Sequence, residues 1–251
     1  TIVLMIVLRW NPIQWFGWIL AAVSLILLLH TGIFGMNAYA GPIDEDLRLV
    51  ETDCSDEQME AAAIYYRDKA NAFSAQVGTL ELSALNEEAA EGFDALVYDH
   101  YYSVFAGSNA PVKTLDMASW FTKRGEMGYT VPITGEAAVN PETPGFMQPF
   151  AICREMCYRK CIASNRDKHF GAFPACQANE SAEFQYASYL MAYRYCLMAL
   201  PQSVAIEVNA QANTQVREAV NTWDAFVAPA EAPAAEAAEK EGIKDTTNRE
   251  I

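Results

Sequence analysis

The sequence is poor in positive charge and in histidine. Its 251 residues include 17 Lys and Arg against 32 Asp and Glu, a formal net charge of −15, and only three histidines. Proteins that bind nucleic acid through bulk charge neutralise phosphates with Lys and Arg, so this balance excludes that class of protein. The hydrophobic fraction of 52% excludes a wholly disordered chain, because such chains contain too few apolar residues to form a core.

The sequence also lacks the short motifs that mark common catalytic and nucleotide-binding sites. It contains no H-E-x-x-H, G-x-S-x-G, P-loop or G-x-G-x-x-G pattern, and no C-x-x-C-H haem attachment. Three carboxylates, Glu87, Glu88 and Glu91, lack the E-x-x-H partners of a di-iron bundle and indicate a solvated helix face. We therefore predict a protein that is not an enzyme and that carries no metal and no cofactor.

No charged side chain occurs between residues 10 and 43. Residues 13–35 form an apolar run of 23 residues, and about 20 such residues cross a bilayer as a helix. Pro12 suits the first turn of a helix, where its missing N–H costs nothing. Three tryptophans stand at one end of the run, where indole rings meet lipid headgroups: Trp10, Trp15 and Trp18. We predict one transmembrane helix over 13–35.

A cleaved signal peptide is the competing interpretation of this segment. Arg9 would be its charged start, Phe16–Leu29 its apolar centre, and Ala38-Tyr39-Ala40 its cleavage site. We favour a retained signal-anchor, because the small residue Thr1 is of the type that removal of an initiator methionine leaves behind.

The side of the membrane is predicted from charge and from cysteine. Arg9 precedes the apolar run, three acidic residues follow it at 44–46, and all six cysteines come after it. An even number of cysteines on one side indicates disulfides and an oxidising compartment. We predict a single-pass protein of the inner (cytoplasmic) membrane with its C-terminal domain in the periplasm. The alternative is the mitochondrial inner membrane, with the domain facing the intermembrane space.

The most distinctive cysteines are Cys153, Cys157 and Cys161, whose i, i+4, i+8 spacing predicts one sulfur-bearing helix face. Bridges within one helix would be strained, so we predict that each of the three pairs outside it. Three partners are available: Cys54, Cys176 and Cys196. A metal or iron–sulfur site is disfavoured by the absence of C-x₂-C spacing. A mixture of bridges and buried thiols, and six buried free thiols, stay open as alternatives.

The rest of the sequence predicts an all-α fold in which the transmembrane helix is followed by a disulfide-stapled helical bundle. The short apolar segment 1–12 precedes the transmembrane helix, 36–54 is a linker, and 55–227 is the soluble helical domain. Ser55 and Gln58 have the spacing of a capping box. Helical spacing of apolar residues follows over these ranges: 55–77, 80–105, 114–124, 150–163, 181–200 and 201–227. The Ala/Pro/Glu-rich stretch 228–251 predicts a flexible, solvated tail.

A Pro/Gly-rich segment interrupts the helical pattern. Residues 125–150 hold four Gly and four Pro, and a structureless loop of this length is uncommon in a compact domain. Tyr129–Thr134 predicts a short extended piece. We expect the loop to be a docking surface for a neighbouring subunit; the alternative is that it wraps its own bundle. Its apolar side chains are the predicted partner contacts: Tyr129, Val131, Ile133, Phe146, Met147 and Phe150.

His30 is the titratable residue of the apolar run, and an intramembrane imidazole is a candidate functional group. Trp and Pro at the helix start, with His30 about 18 residues later, resemble the bacterial antenna polypeptides over fewer than 30 residues. That resemblance implies a pigment or haem ligand. The sequence departs from the antenna pattern at Ile26, where a small residue is usual. The other interpretation is a histidine near the far interface or hydrogen-bonded to a neighbouring subunit.

Together these features predict a non-catalytic accessory or structural subunit of a larger integral-membrane complex, such as a respiratory or photosynthetic one. Its partners would be the other subunits and the lipid bilayer, with no nucleic acid. The alternative is a free-standing membrane-anchored or exported binding module or assembly factor. An enzyme of an unrecognised type is a third possibility.

Overall fold

The computed structural model describes residues 11–38, 40–50, 52–99, 102–131 and 134–240. The chain divides into two compact units, Thr1–Ala40 and Gly41–Ile251. The first unit contains helix α1, Pro12–Ala38. Asn11 starts this helix, because its side-chain Oδ1 accepts a hydrogen bond from the Ile13 backbone N–H at 3.0 Å.

Helix α1 carries an apolar span over Pro12–Gly32 that is long enough to cross a membrane, and none of it is buried. The prediction of one N-terminal apolar helix of membrane-spanning length is confirmed. The helix continues past the predicted end at residue 35 to Ala38.

The second unit is mostly helical. Its helices and strands run in this order: α2 Ile43–Asp46, α3 Asp56–Ser74, α4 Leu82–Tyr98, β1 Lys113–Thr114, α5 Ala118–Thr122, β2 Gly128–Val131, β3 Glu136–Val139, α6 Gln148–Arg159, α7 Asn165–Gln177, α8 Ala182–Ala199, α9 Gln202–Ala210 and α10 Thr214–Lys240. Short 3₁₀ turns cover Ser103–Phe105 and Gly145–Met147.

The predicted capping box starts α3. The Ser55 hydroxyl accepts from the Gln58 backbone N–H at 3.3 Å, and the Gln58 side-chain Oε1 accepts from the Ser55 N–H at 3.0 Å. Two N–H groups that would lack intrahelical partners are thereby satisfied.

We expect Ser55→Ala to lower the free energy of unfolding by about 1 kcal/mol, because it removes an N-cap acceptor. Thermal unfolding of the purified chain measures the change. Ser83→Ala is the control, since Ser83 is exposed within α4. Equal stability of the two variants would show that the cap contributes nothing.

Two strands of the Pro/Gly-rich segment, β2 and β3, form a small three-stranded sheet with β1, which precedes the segment, in the order β1-β3-β2. The β1–β3 pair is parallel and the β2–β3 pair is antiparallel, with Tyr129 opposite Ala138. The predicted all-α fold is therefore wrong in that the protein contains this sheet. The prediction that the protein is mostly helical is confirmed. The sheet packs on α6, where Thr130 of β2 is hydrogen-bonded to Glu155.

The core lies mainly between α3, α6, α7 and α8. Tyr66 and Phe73 project from α3, and Phe73 stacks on Tyr189 of α8 with ring centroids 5.7 Å apart. Tyr66 meets Phe173 of α7 edge to face at 5.9 Å. The largest fully buried side chains include Tyr193, Phe150, Phe184 and Trp223.

Several helix predictions are wrong in their bounds, among them 80–105, where α4 ends at Tyr98, and one helix was not predicted. Helix α6 ends at Arg159 rather than near 163, and Cys161 follows with a positive φ of 65°. Helix α7 was not predicted; Ser164 caps it by accepting from the Asp167 N–H at 2.9 Å. The predicted helix 201–227 is two helices, because Asn213 starts α10 by accepting from the Val216 N–H at 2.8 Å.

The predicted flexible tail is helical in its first part. Helix α10 continues through this stretch to Lys240. Its Glu231 carboxylate accepts from the Arg194 guanidinium of α8 at 2.9 Å, and Asp224 accepts from the same group at 2.5 Å. Arg194 is buried, so these carboxylates hold the helix against the bundle. Residues 241–251 lie outside the described residues.

Candidate functional site

The six cysteines are all free thiols, so the disulfide staples are not present. Cys54 and Cys161 are exposed and the other four are buried. The predicted three-sulfur face is wrong because Cys161 lies beyond the end of α6. Only Cys153 and Cys157 remain on that helix.

Cys153 of α6 and Cys176 of α7 lie together in the core. Burial and a hydrogen bond with Cys176 raise the pKa of the Cys153 thiol well above its usual value of 9.0. Burial, and then the neighbouring Cys153, raise the pKa of Cys157 in the same way. A thiol with a raised pKa is protonated at neutral pH and behaves as a small apolar group.

The six predicted docking residues fall in different places. Met147 and Phe150 are 0% and 1% exposed, which corrects them from docking residues to core residues. Phe146 is half-buried against Tyr186. Val131 is half-buried in β2, and Ile133 lies outside the described residues. Tyr129 is 44% exposed, so it is available to a partner.

Tyr129 belongs to an exposed aromatic patch that the sequence did not single out. We define this patch as Met117, Trp120, Phe121 and Tyr129. Met117 is 62% and Trp120 is 47% exposed. Phe121 lies between the two aromatic ends of the patch, with ring centroids 4.9 Å from Trp120 and 6.0 Å from Tyr129. The guanidinium of Arg124 lies 4.0 Å from the centroid of the Trp120 ring.

His30 lies on α1, inside the exposed apolar span. Its role as a pigment or haem ligand stays a prediction. Within the described parts of the chain, no group of three or more His, Cys, Asp or Glu side chains is arranged to hold a metal ion.

A group of buried and half-buried polar side chains surrounds α6. Arg154 donates to Glu155 Oε1 at 2.5 Å, and both side chains are buried. Thr130 of β2 donates to Glu155 Oε2 at 2.8 Å, and Arg154 also donates to Asn165 of α7 at 3.1 Å. Burial is the main cause that lowers the pKa of nearby Lys168 to about 8. This group joins the sheet to two helices through polar contacts.

A half-buried polar pair lies between α7 and α8. Nδ1 of His169 is 2.5 Å from the Tyr195 hydroxyl. Burial raises the pKa of Tyr195 to about 12, so its hydroxyl is protonated. Burial lowers the pKa of His169 well below the usual 6.5, and three cations act in the same direction: Arg154, Lys168 and Arg194. The imidazole is therefore neutral at pH 7.

The His169–Tyr195 pair borders a cavity of about 310 Å³. Ligand pockets commonly have volumes of about 300–1,000 Å³ and apolar walls with few polar groups. The walls come from four helices: Tyr66, Phe150, Arg166, His169, Phe170, Phe173, Met191, Ala192, Tyr195 and Cys196. Sequence reasoning missed this site because α7 itself was not predicted. The available signal was the i, i+3, i+4, i+7 spacing of Arg166, His169, Phe170 and Phe173.

Comparison with known proteins gives one match. No curated protein and no solved structure matches the chain. Residues 2–241 match the sequence model of a family described as "Protein of unknown function (DUF3810)". That match includes both α1 and the helical unit that carries the cavity. Since it covers nearly the whole sequence, the chain belongs to the DUF3810 family.

Proposed function

We propose that this protein is a non-enzymatic, membrane-anchored accessory subunit of a larger integral-membrane complex. One observation carries the proposal: the span Pro12–Gly32 is apolar and none of it is buried. Exposed apolar surface of this extent needs lipid or a partner protein to cover it. A membrane meets that requirement directly.

The aromatic patch supports a role in assembly. Interfaces are enriched in Trp, Tyr, Met and Arg, and the patch presents Met117, Trp120 and Tyr129 beside Arg124. Its aromatic side chains contact one another across α5 and β2. The partner we propose is a neighbouring subunit of the same complex, which would bury these rings.

The charges that flank α1 support a periplasmic position for the helical unit. Arg9 precedes the helix, and Asp44, Glu45 and Asp46 follow it. Cytoplasmic flanks of membrane helices carry an excess of Lys and Arg. Arg9 lies on the N-terminal side and Arg48 on the other, so the basic residues are balanced, and a cytoplasmic N-terminus is proposed from the acidic cluster alone.

Co-purification after mild detergent extraction tests the subunit role. We expect the intact chain to bring down a stoichiometric set of membrane proteins. Replacing both Trp120 and Tyr129 by Ala should weaken that association by about 2 kcal/mol or more, since buried aromatic anchors dominate interface energies. A loss of that size is more than tenfold in Kd.

Ile206→Ser is the matched control, because Ile206 is 62% exposed on α9, outside the aromatic patch. This variant should retain the full partner set. A wild-type chain that is recovered alone would contradict the subunit role. Unchanged recovery with the double variant would contradict the docking role of the patch.

A membrane-anchored binding module is the second candidate function. The specific observation that favours it is the apolar cavity of about 310 Å³ beside the His169–Tyr195 pair. This function does not need a protein partner, so the same co-purification experiment separates it from the subunit role.

A further inference from the structure

We propose that the cavity between α7 and α8 binds an anionic amphiphile, a carboxylate on an apolar chain of about ten heavy atoms. The carboxylate would lie beside His169 Nε2 and Arg166, and the chain would lie among the aromatic and Met side chains of the walls. This site goes beyond the subunit role proposed above and does not depend on it.

Helix α7 gives the cavity one amphipathic wall. Arg166, His169, Phe170 and Phe173 are spaced i, i+3, i+4 and i+7, so they share a helix face. All four line the cavity. The face thus carries a cation and an imidazole at its N-terminal end and two phenyl rings after them. An amphiphile has the same arrangement, a polar head followed by an apolar chain.

The imidazole offers a hydrogen bond that the protein does not use. In the tautomer that the proposed site uses, the Tyr195 hydroxyl donates to Nδ1, which lies 2.5 Å away. The imidazole proton is then on Nε2. Nε2 is buried and has no hydrogen-bond partner among the described residues. An unmade hydrogen bond on a buried group costs about 1–3 kcal/mol, so an acceptor on a ligand would be favoured there.

Cations surround this donor, although two of them are paired with carboxylates, Arg154 with Glu155 and Arg194 with Asp224 and Glu231. Arg154, Lys168 and Arg194 act on His169 as positive neighbours, and Arg166 lines the cavity itself. Arg166 also lies 3.4 Å from Asp44 and 3.5 Å from Asp167. A guanidinium carries five N–H donors, so Arg166 can contact a ligand carboxylate while it keeps these ion pairs. A carboxylate meets both requirements of the site, an acceptor for Nε2–H and a negative charge.

The volume sets the size of the occupant. At about 30 Å³ for each water-sized heavy atom, a cavity of about 310 Å³ holds roughly ten heavy atoms. Octanoate is a carboxylate of this size, and it is the probe that we choose. Phe150, Phe173 and Met191 provide non-directional apolar contact for its chain.

The test is equilibrium dialysis of radiolabelled octanoate against the full chain in lipid nanodiscs, with empty nanodiscs as the reference for partition into lipid. We expect saturable binding that approaches one octanoate per chain. 1-Octanol has the same chain without the charge, and it should compete about tenfold less well, since hydrogen bonds to charged groups are the stronger ones. A competitor as effective as octanoate would overturn the carboxylate assignment.

Variants locate the site. His169→Phe removes the Nε2 donor and should weaken octanoate binding about tenfold, whereas His169→Gln keeps an N–H donor and should recover part of it. Met191→Trp fills the cavity and should abolish binding. Arg166→Gln, which changes a half-exposed side chain, should weaken octanoate but leave 1-octanol unchanged. Thermal unfolding of each variant shows that it is folded.

The proposal is overturned if no saturable binding exceeds that of empty nanodiscs. It is also overturned if folded Met191→Trp binds octanoate as the wild type does. Should Met191→Trp fail to fold, the Arg166→Gln comparison decides, because equal losses for octanoate and 1-octanol would remove the charge argument. None of these outcomes depends on whether the chain has protein partners.

Discussion

Glu155→Gln is expected to lower the free energy of unfolding by about 3 kcal/mol or more, because it removes one partner of a buried ion pair. Arg154 donates to Glu155 at 2.5 Å, and the two side chains are 5% and 1% exposed. Without the carboxylate, the Arg154 charge stays buried beside neutral acceptors, the amide oxygen of the substituted side chain and Asn165 of α7. In a unit of this size the melting temperature should fall by about 6–12 °C.

Calorimetry or circular dichroism measures that change. Glu87→Gln is the matched control, since Glu87 is an exposed carboxylate on α4, and it should shift the melting temperature by little. If both variants melt together with the wild type, Glu155 does not stabilise the junction between the sheet and the helices.

Gly92→Ala is expected to destabilise the protein by about 1–3 kcal/mol, although Ala is the better helix former by about 1 kcal/mol. Gly92 faces α7, and a Cβ atom at this position would lie 2.3 Å from the backbone oxygen of Ala175. A backbone atom cannot rotate away as a side chain can, so α4 would have to move off α7. Helix propensity alone would predict that Gly92→Ala stabilises the protein.

Gly145→Ala is the control, because nothing lies within 4 Å of a Cβ at Gly145. Its melting temperature should be close to that of the wild type. A higher melting temperature for Gly92→Ala would show that the two helices adjust to the added methyl group, and that helix propensity dominates at this position.

Local signals in the sequence predicted the parts of the fold that local chemistry decides. The Ser55–Gln58 capping box depends on residues three apart, and it forms as predicted. The apolar span of α1 depends only on length and lack of charge. Such features need no knowledge of distant residues, which is why composition and spacing suffice for them.

Long-range contacts decided what the sequence did not predict. Helix α7 contains Gly171 and Pro174, which weaken a helical pattern, yet packing against α6 and α8 stabilises it. The extended piece predicted at Tyr129–Thr134 overlaps β2. Strands β1 and β3 were missed because they have two and four residues, too few for an alternating pattern to appear. The His169–Tyr195 pair joins side chains 26 positions apart, so no short sequence motif predicts it.

The prediction from residue spacing failed for the three cysteines at 153, 157 and 161. The i, i+4, i+8 pattern assumed that one helix continues through Cys161, but α6 ends at Arg159. Burial then explains Cys153 and Cys157 as apolar core residues. An even count of cysteines therefore does not by itself indicate an oxidising compartment for this chain.

The division of the thiols into exposed and buried gives the unmodified chain its own reporters of membrane topology. Cys54 and Cys161 are open to solvent, whereas burial keeps Cys153 and Cys157 protonated, and maleimides react with the thiolate. A maleimide that cannot cross a bilayer would reach the exposed pair only from the side that the helical unit faces. Labelling of intact cells compared with lysed cells therefore shows the orientation without any engineered cysteine.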